Sequence, residues 1–396
     1  MSAPTVQPTV EPYTAVALAP EEIESRRRTV REDMRARGLD LLVVVGPENI
    51  YYLTGLNYQG YFSLTMLVLP RDGTPRLIAR AMEHATITTQ VTACEHVPYD
   101  DGSDPADVLV RTVAEGTAAG ATCGVELDAM FFPPGVWDRT RAALPDRAWI
   151  DTSGLVVAIR AVKSETELGF IRRAARISDR AVLAGVAAAS SNATEREVAA
   201  AVYAQLVRAG SEHPGFAPLI RGTDILTHEH VTWRDRPLRS DAALLMELSA
   251  SVYRYHAPLT RMVSIDTVDP GTRDAADIAI AALEAARVEL RPGVPTGQVY
   301  RAWQQVVDEG LGHHDYRRHH CGYMVGIGFP PSWVGGGAVQ GIVRDGELVL
   351  AEGMVFHLLS WLLGQEPGDY CVSDTVVVTR DGGEFLTRAP REPSAG

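Results

Sequence analysis

The sequence predicts an α+β chain of two domains: an α/β unit first, then a larger unit of long helices and long strands. Three observations carry this expectation. The chain has 396 residues, and single hydrophobic cores stop growing at roughly 250 to 300 residues. Short strand-like and helix-like segments alternate up to a boundary near Asp151 to Val162. Beyond it, Ser164 with Glu167 and Thr194 with Glu197 form two capping-box signatures, each opening a long helical pattern.

Taken in order, residues 1–20 read as a Pro-rich disordered arm, because MSAPTVQPTVEPYTAVALAP has neither an apolar period nor the basic start and apolar run of a leader. The α/β domain covers residues 21–150. It opens with the amphipathic run EEIESRRRTVREDMRARG, stopped by Gly38, in which Arg26 to Arg28 read as a solvated face. LDLLVVVGPENIYYLTG comes next as a buried strand and turn. FSLTMLVLP, TPRLIAR, CEHVPYD and CGVELD read as strands, and Gly135 to Leu144 as a helix. The second domain covers residues 151–396. Its helices are expected from Ser164 to about Ala189, from Thr194 to Gly210, from Thr272 to Leu290 and from Thr296 to Glu309. Its strands are expected at Ala242 to Ser249, Tyr253 to Ser264, Met354 to Leu363 and Cys371 to Thr379.

Composition narrows the function classes. With 46% hydrophobic and 22% charged residues, the chain has an ordinary globular make-up. A net charge of −13 argues against nucleic acid or an anionic membrane as partner. No apolar stretch is long enough to span a bilayer. Cys94, Cys123, Cys321 and Cys371 lack any CxxC or CxH spacing, which fits buried thiols in a reduced, cytoplasmic protein.

One residue stands against its surroundings. Glu247 lies inside LLMEL, where a fully buried strand is the better template, and an ionised group there is costly unless it is paired or used. A solvent-facing Glu on an alternating strand is the plainer alternative. The run HHDYRRHHC offers His313, His314, His319 and His320 as adjacent pairs without helical i, i+4 ligand spacing, so these, with His228, read as surface or loop residues. The glycines Gly335 to Gly337 have no strand-to-helix context and read as a loop.

The segment His230 to Arg261, with GYMVGIG, EGMVFHLL and CVSDTVVVT further on, resembles the pita-bread family of creatinase, aminopeptidase P, prolidase and methionine aminopeptidase. GPENIYYLTG resembles the N-terminal domain of creatinase and aminopeptidase P. The resemblance covers nearly the whole chain after the arm. It implies two pairs of long helices packed on one face of a curved antiparallel sheet whose concave side holds the active site. The family's peptidases bind two metal ions through two Asp, one His and two Glu. At the matching positions this chain has Glu247, Pro258, Tyr323, Leu359 and Ser373, so only one carboxylate remains, and proline and leucine offer no side-chain donor. Neither metal nor cofactor is therefore expected.

Creatinase is the family's metal-free precedent, and His230 matches its active-site His. Its two guanidinium-holding glutamates fall at Thr260 and Leu359, so that clamp is missing. The stretches HVTWRDRPLRSD, MELSASVYRYHAPLTRMV, GYMVGIGFPPSW and GMVFHLLSWLL are most similar to the metal-free branch of ectoine hydrolase, although that pattern has Asp at Ser332 and Glu at Cys371. The resemblance thus implies a metal-independent hydrolase of a non-peptide C–N bond in a small cyclic amidine or related compound. Glu247 would act as nucleophile or base and His230 as proton shuttle. Tyr323, Thr260, Trp333 and one of His256 and Tyr255, which alternate on their strand, would contact substrate. Tyr61 and Phe62, from the aromatic loop Leu56 to Ser63, would close the partner's site in a homodimer. A biosynthetic enzyme on the same pocket and an inactive binding protein remain as alternatives.

Overall fold

The computed structural model describes residues 18–240, 242–337 and 339–395. The expected arm therefore lies, up to residue 17, outside the described residues. The described residues form two compact units, divided between Val156 and Val157.

The first unit is built on a mixed six-stranded sheet. Its elements are α1 (Pro20–Ala36), β1 (Leu41–Val44), α2 (Pro47–Thr54), β2 (Met66–Pro70), β3 (Arg76–Arg80), α3 (His84–Gln90), β4 (Glu95–Tyr99), α4 (Pro105–Gly116), β5 (Thr122–Val125), α5 (Pro134–Ala143) and β6 (Ala148–Asp151). The strand order is β4-β3-β2-β1-β5-β6, with β2 antiparallel to both its neighbours and the other pairings parallel. Central β1 is buried at all four positions, as its unbroken apolar run LLVV requires.

Three expectations for this unit are corrected. GPENIYYLTG is helix α2 rather than a turn, with Pro47 in the first helical turn and Gly55 closing the helix at φ 76°, a left-handed conformation that glycine adopts without strain. Arg26 and Arg27 are buried, not solvated. Arg26 donates to the Tyr52 carbonyl at 3.2 Å and Arg27 to that of Leu53 at 2.8 Å, so two guanidinium groups satisfy carbonyls that end α2. Of the aromatic residues in the loop Leu56 to Ser63, expected to close a partner's site, only Phe62 is exposed, at 77%. The rings of Tyr58 and Tyr61 pack edge-on, their hydroxyls engaged by Thr65 and the Leu56 carbonyl.

The second unit begins within α6 (Leu155–Ile159) and continues through α7 (Glu165–Ala188), α8 (Glu195–Arg208), β7 (Leu219–Gly222), β8 (Ala243–Val252), β9 (Tyr255–Ser264), α9 (Pro270–Glu289), α10 (Thr296–Leu311), β10 (Gly322–Met324), β11 (Val355–Leu362), β12 (Tyr370–Thr379) and β13 (Gly382–Phe385). Both capping boxes close reciprocally, through Ser164 with Glu167 and Thr194 with Glu197. The main sheet runs β10-β11-β12-β9-β8-β7, every pair antiparallel.

Alternation decides what each face of this sheet meets. On β8, Met246 points to the helices, where a Cβ built on Gly185 of α7 would lie 2.6 Å from its sulfur and 2.9 Å from Val202 of α8. Ala275, Ala279, Ala282 and Ala286, recurring at three- and four-residue steps on α9, are fully buried in the core shared with Phe356, Leu358 and Val376. Trp303 of α10 reaches the same face, donating to Ser360 at 3.0 Å. Helices thus cover one face, and Glu247, the neighbour of Met246, points to the other. Among the described residues no helix is long and apolar enough to cross a membrane.

The contact at Gly185 yields a test. Gly185→Ala should destabilise the protein by about 1–3 kcal/mol, because a methyl group there overpacks the helix–sheet interface. Urea unfolding would measure it, and an unchanged midpoint would mean that the interface gives way freely.

Candidate functional site

The face opposite the helices can be read as rows across the sheet. Register places Glu247 opposite Thr260, Thr260 opposite Ser373, and Ser373 opposite Leu359. One row along, His357 stands opposite Thr375 on one side and Tyr323 on the other. Four of the five positions that the resemblance assigns to metal ligands, Glu247, Tyr323, Leu359 and Ser373, are therefore on this face. The fifth, Pro258, is two residues from Thr260 and shares it.

A chain of hydrogen bonds fills the middle of the face. Trp333 donates its indole N–H to the Tyr323 hydroxyl at 3.1 Å, and Tyr323 lies 2.9 Å from His357 Nδ1. His357 Nε2 is 2.6 Å from Ser373 Oγ, which donates to Thr260 Oγ1 at 2.7 Å. His357 is fully buried, and burial pushes its pKa down to about 3, so the ring is neutral and carries one proton. The direction of every bond is then determined. Ser373 gives its hydrogen to Thr260 and must accept from His357, which places the ring proton on Nε2 and leaves Nδ1 to accept from Tyr323. Thr260 ends the chain with its own hydrogen to give, directly across from Glu247.

Glu247 itself is 4% exposed. Burial raises its pKa to about 7, opposed by the charges of Arg221 and Arg318 and reinforced by that of Glu229. It therefore gains and loses its charge near neutrality. Burial, aided by the charge of Glu247, holds the Tyr323 phenol well above its usual range, so Tyr323 remains a neutral donor.

The remaining predicted residues take varied places. His230 is on the loop after β7, at φ 54°, exposed and stacked on Phe216 with ring centroids 5.9 Å apart. Phe216 in turn meets Trp333 edge-on at 4.8 Å, so an aromatic file links His230 to the hydrogen-bonded chain. His256 belongs to the Glu247 face, but its Nδ1 engages the Arg254 carbonyl at 2.9 Å and its Nε2 accepts from the Gly215 N–H at 2.9 Å. Both ring nitrogens are thus taken up by backbone. Tyr255 is corrected: it points the opposite way and donates to Glu167 of α7 at 2.8 Å, as alternation with His256 demands. Tyr61 and Phe62 belong to the first unit.

Sequence reasoning missed His357, Arg221, Arg318 and Trp361, and it placed His320 among loop residues whereas its ring also packs edge-on against Tyr323 at 5.5 Å. The signal for His357 was available, since a lone histidine in VFHLLSWL breaks an apolar strand as Glu247 breaks LLMEL.

The donor set does not suit a divalent metal. Pro258 and Leu359 have no donor atoms, and the Tyr323 and Ser373 oxygens are occupied within the hydrogen-bonded chain. Among the described residues, no group of three or more His, Cys, Asp or Glu side chains could hold an ion.

Comparison with known proteins places this geometry. The model for metallopeptidase family M24 matches residues 169–380, and that for the creatinase/prolidase N-terminal domain matches residues 26–162. An uncharacterised hydrolase/peptidase of Sinorhizobium fredii is 30% identical, covering 94% of this chain and 96% of its own. Ectoine hydrolase of Halomonas elongata is 25% identical over the same shares. Among solved structures, a prolidase from Thermococcus sibiricus superposes with a TM-score of 0.84 at 21% identity, covering 94% of this chain and 99% of its own. An X-Pro aminopeptidase from Thermotoga maritima gives 0.81 at 22%, with coverages of 93% and 99%. The two-domain creatinase-like fold, with a pita-bread second domain, is thereby established.

The raised Glu247 pKa has a stability consequence. In the unfolded chain the group ionises near its ordinary value of 4.5, in the fold near 7. The folded state thus binds the extra proton, and its advantage, full below about pH 4.5, is lost as pH rises through 7. Glu247→Gln should match wild type in stability at pH 4 and exceed it by about 3 kcal/mol at pH 8. Denaturant unfolding at the two pH values checks this, and an equal gap at both would mean that Glu247 ionises as freely as in water.

Proposed function

The chain is a hydrolase of metallopeptidase family M24, and from that premise we propose that it hydrolyses a non-peptide C–N bond in a small cyclic amidine or related compound without a metal ion. The observation that carries the reading is Glu247, a buried carboxylate with a pKa of about 7 on a face where the other positions matched to the family's metal ligands are either without a donor, at Pro258 and Leu359, or hydrogen-bonded to His357, at Tyr323 and Ser373. Ionised, Glu247 attracts a delocalised cation, and it either attacks the electrophilic carbon, forming an ester-like adduct that a water then cleaves to restore the carboxylate, or takes the proton of a water that attacks that carbon directly. The Thr260 hydroxyl, turned into an outward donor by the chain behind it, supplies a hydrogen bond to the oxygen that bonds to that carbon. Cleavage of the C–N bond releases a nitrogen that must be protonated, the role proposed for His230. Ectoine hydrolase, a relative over 94% of the chain, supports the reaction class.

The test uses a panel of cyclic amidines. Turnover should persist in EDTA and rise with pH through a midpoint near 7, as Glu247 ionises. Glu247→Gln should cut it by about 10² to 10⁴ while the fold is retained. Activity that EDTA abolishes and added metal restores would sink the metal-free reading. A Gln variant at the wild-type rate would remove its central residue.

We further propose a homodimer as the working form, since Phe62 is 77% exposed on the loop before β2. Sedimentation at micromolar concentration should give a dimer, and a monomer alone would refute it.

A further inference from the structure

One register row beyond Glu247, the same face carries a group of hydrogen-bond donors without acceptors. Arg221 of β7 stands opposite Leu245, Leu245 opposite Met262, and Trp361 of β11 opposite Cys371. The Cys371 amide meets the Met262 sulfur at 3.1 Å, which completes the row from Arg221 to Trp361. In a flat sheet the ends of this five-strand row would be about 19 Å apart. Yet the Arg221 guanidinium carbon lies 5.9 Å from the centre of the Trp361 ring. The two long side chains therefore reach toward each other over Leu245, Met262 and Cys371.

Arg221 has no solvent exposure, and its Nε and Nη1 have no hydrogen-bond partner among the described residues. Trp361 Nε1 is buried and equally without one. Of the Arg221 nitrogens only Nη2 is engaged, at 3.3 Å from Glu229. Arg318, 4.9 Å from the Trp361 ring, adds a second cation and shares Glu229 at 3.8 Å. The floor offers no strong acceptor: Leu245 is apolar, the Met262 sulfur already takes the Cys371 amide, and the Cys371 thiol is kept protonated by burial. Orphaned donors of this kind cost free energy, most of all on a charged group. Among the described residues Glu229 is the carboxylate in direct contact with both guanidinium groups, and Glu247 acts on them only through its field, so the open Arg221 nitrogens are free to take a further anionic acceptor.

We propose that Arg221 and Trp361 form an anion subsite that takes a carboxylate of the substrate. A planar carboxylate matches the planar guanidinium donors and leaves an oxygen for the indole N–H. Glu247 lies two residues along the strands from this row, a separation of roughly 7 Å. Resting on the amidine reading above, the subsite narrows the substrate to a compact zwitterion, with a cationic amidinium at Glu247 and a carboxylate at Arg221.

The subsite can be tested apart from catalysis. Acetate is titrated into the full-length protein carrying ¹⁵N-labelled tryptophan, with the Trp361 indole signal assigned by its loss in Trp361→Phe. The signal should move saturably in wild type, stay still in Arg221→Met, and move with weaker affinity in Arg221→Lys, which keeps the charge but loses the fork. Should the Met variant not fold, the Lys variant carries the comparison. No saturable movement in wild type, or equal movement in the variants, overturns the subsite. A kinetic arm compares cyclic amidines with and without a ring carboxylate. Because Arg221 also acts on Glu247 through its charge, Arg221→Met slows both compounds, but it should raise KM about 10- to 100-fold more for the carboxylate-bearing compound than for the other. If acetate binds as expected but wild type turns over neither compound, the amidine reading fails and the subsite stands. If both are turned over and Arg221→Met affects them alike, the subsite fails and the amidine reading stands.

Discussion

The second domain is organised around one electrostatic constraint, a carboxylate held on a buried strand within the field of a buried guanidinium. Glu247 is 4% exposed and Arg221 wholly buried, yet they are not locked in a direct ion pair. Arg221 instead gives one nitrogen to Glu229 and keeps the others open. Desolvation then outweighs the attraction of Arg221 and Arg318, and Glu247 titrates near neutrality rather than as an ordinary carboxylate. A direct, well-formed pair would have fixed the charge and removed the group from chemistry. The spacing preserves a carboxylate that can change its protonation state.

Around this carboxylate, two of the positions matched to the metal ligands of the family's peptidases, Tyr323 and Ser373, belong to a self-satisfied polar chain. Buried hydroxyls and a buried imidazole are tolerated only when each donor finds an acceptor. Trp333, Tyr323, His357, Ser373 and Thr260 meet that condition in sequence. Because the indole can only donate, the chain has a single polarity from end to end. That polarity delivers a hydroxyl hydrogen beside Glu247 and keeps His357 in one tautomer. The imidazole acts here as a spacer with two defined ends, and burial keeps it from charging.

The helix face explains why the site can be so polar. The small residues on α9 and Gly185 on α7 let both helices approach the sheet closely. Apolar burial in that layer stabilises the fold, and the buried Arg261–Asp374 ion pair, 2.8 Å long, lies on the far side of β9 and β12 from Glu247. The opposite face is then free to carry groups that cost stability, Glu247 and Arg221 foremost. Gly215 serves the same close packing, since a Cβ there would lie 2.4 Å from the Ser332 carbonyl oxygen. The missing side chain lets the loop bearing Trp333 close down on the Gly215–Phe216 segment, which meets Trp333 through Phe216 and His256 through the Gly215 amide.

By itself the sequence determined the domain order, the long helices and the paired strands, because capping boxes, apolar periods and alternation are local signals. It also marked Glu247, since a charge in a buried strand is anomalous wherever that strand is placed. It misjudged Arg26 and Arg27, whose burial depends on the end of a helix that the sequence read as a turn. It could assign only one of Tyr255 and His256 to the site, and tertiary packing sent Tyr255 to α7 and the His256 nitrogens to backbone groups. His357 and Arg221 became site residues only through register. Strand partners such as Thr260 and Ser373 are 113 positions apart in the chain, and no local pattern specifies which rows align. Pairing across strands, which is a property of the assembled sheet, decided which polar groups meet and which donors are left open.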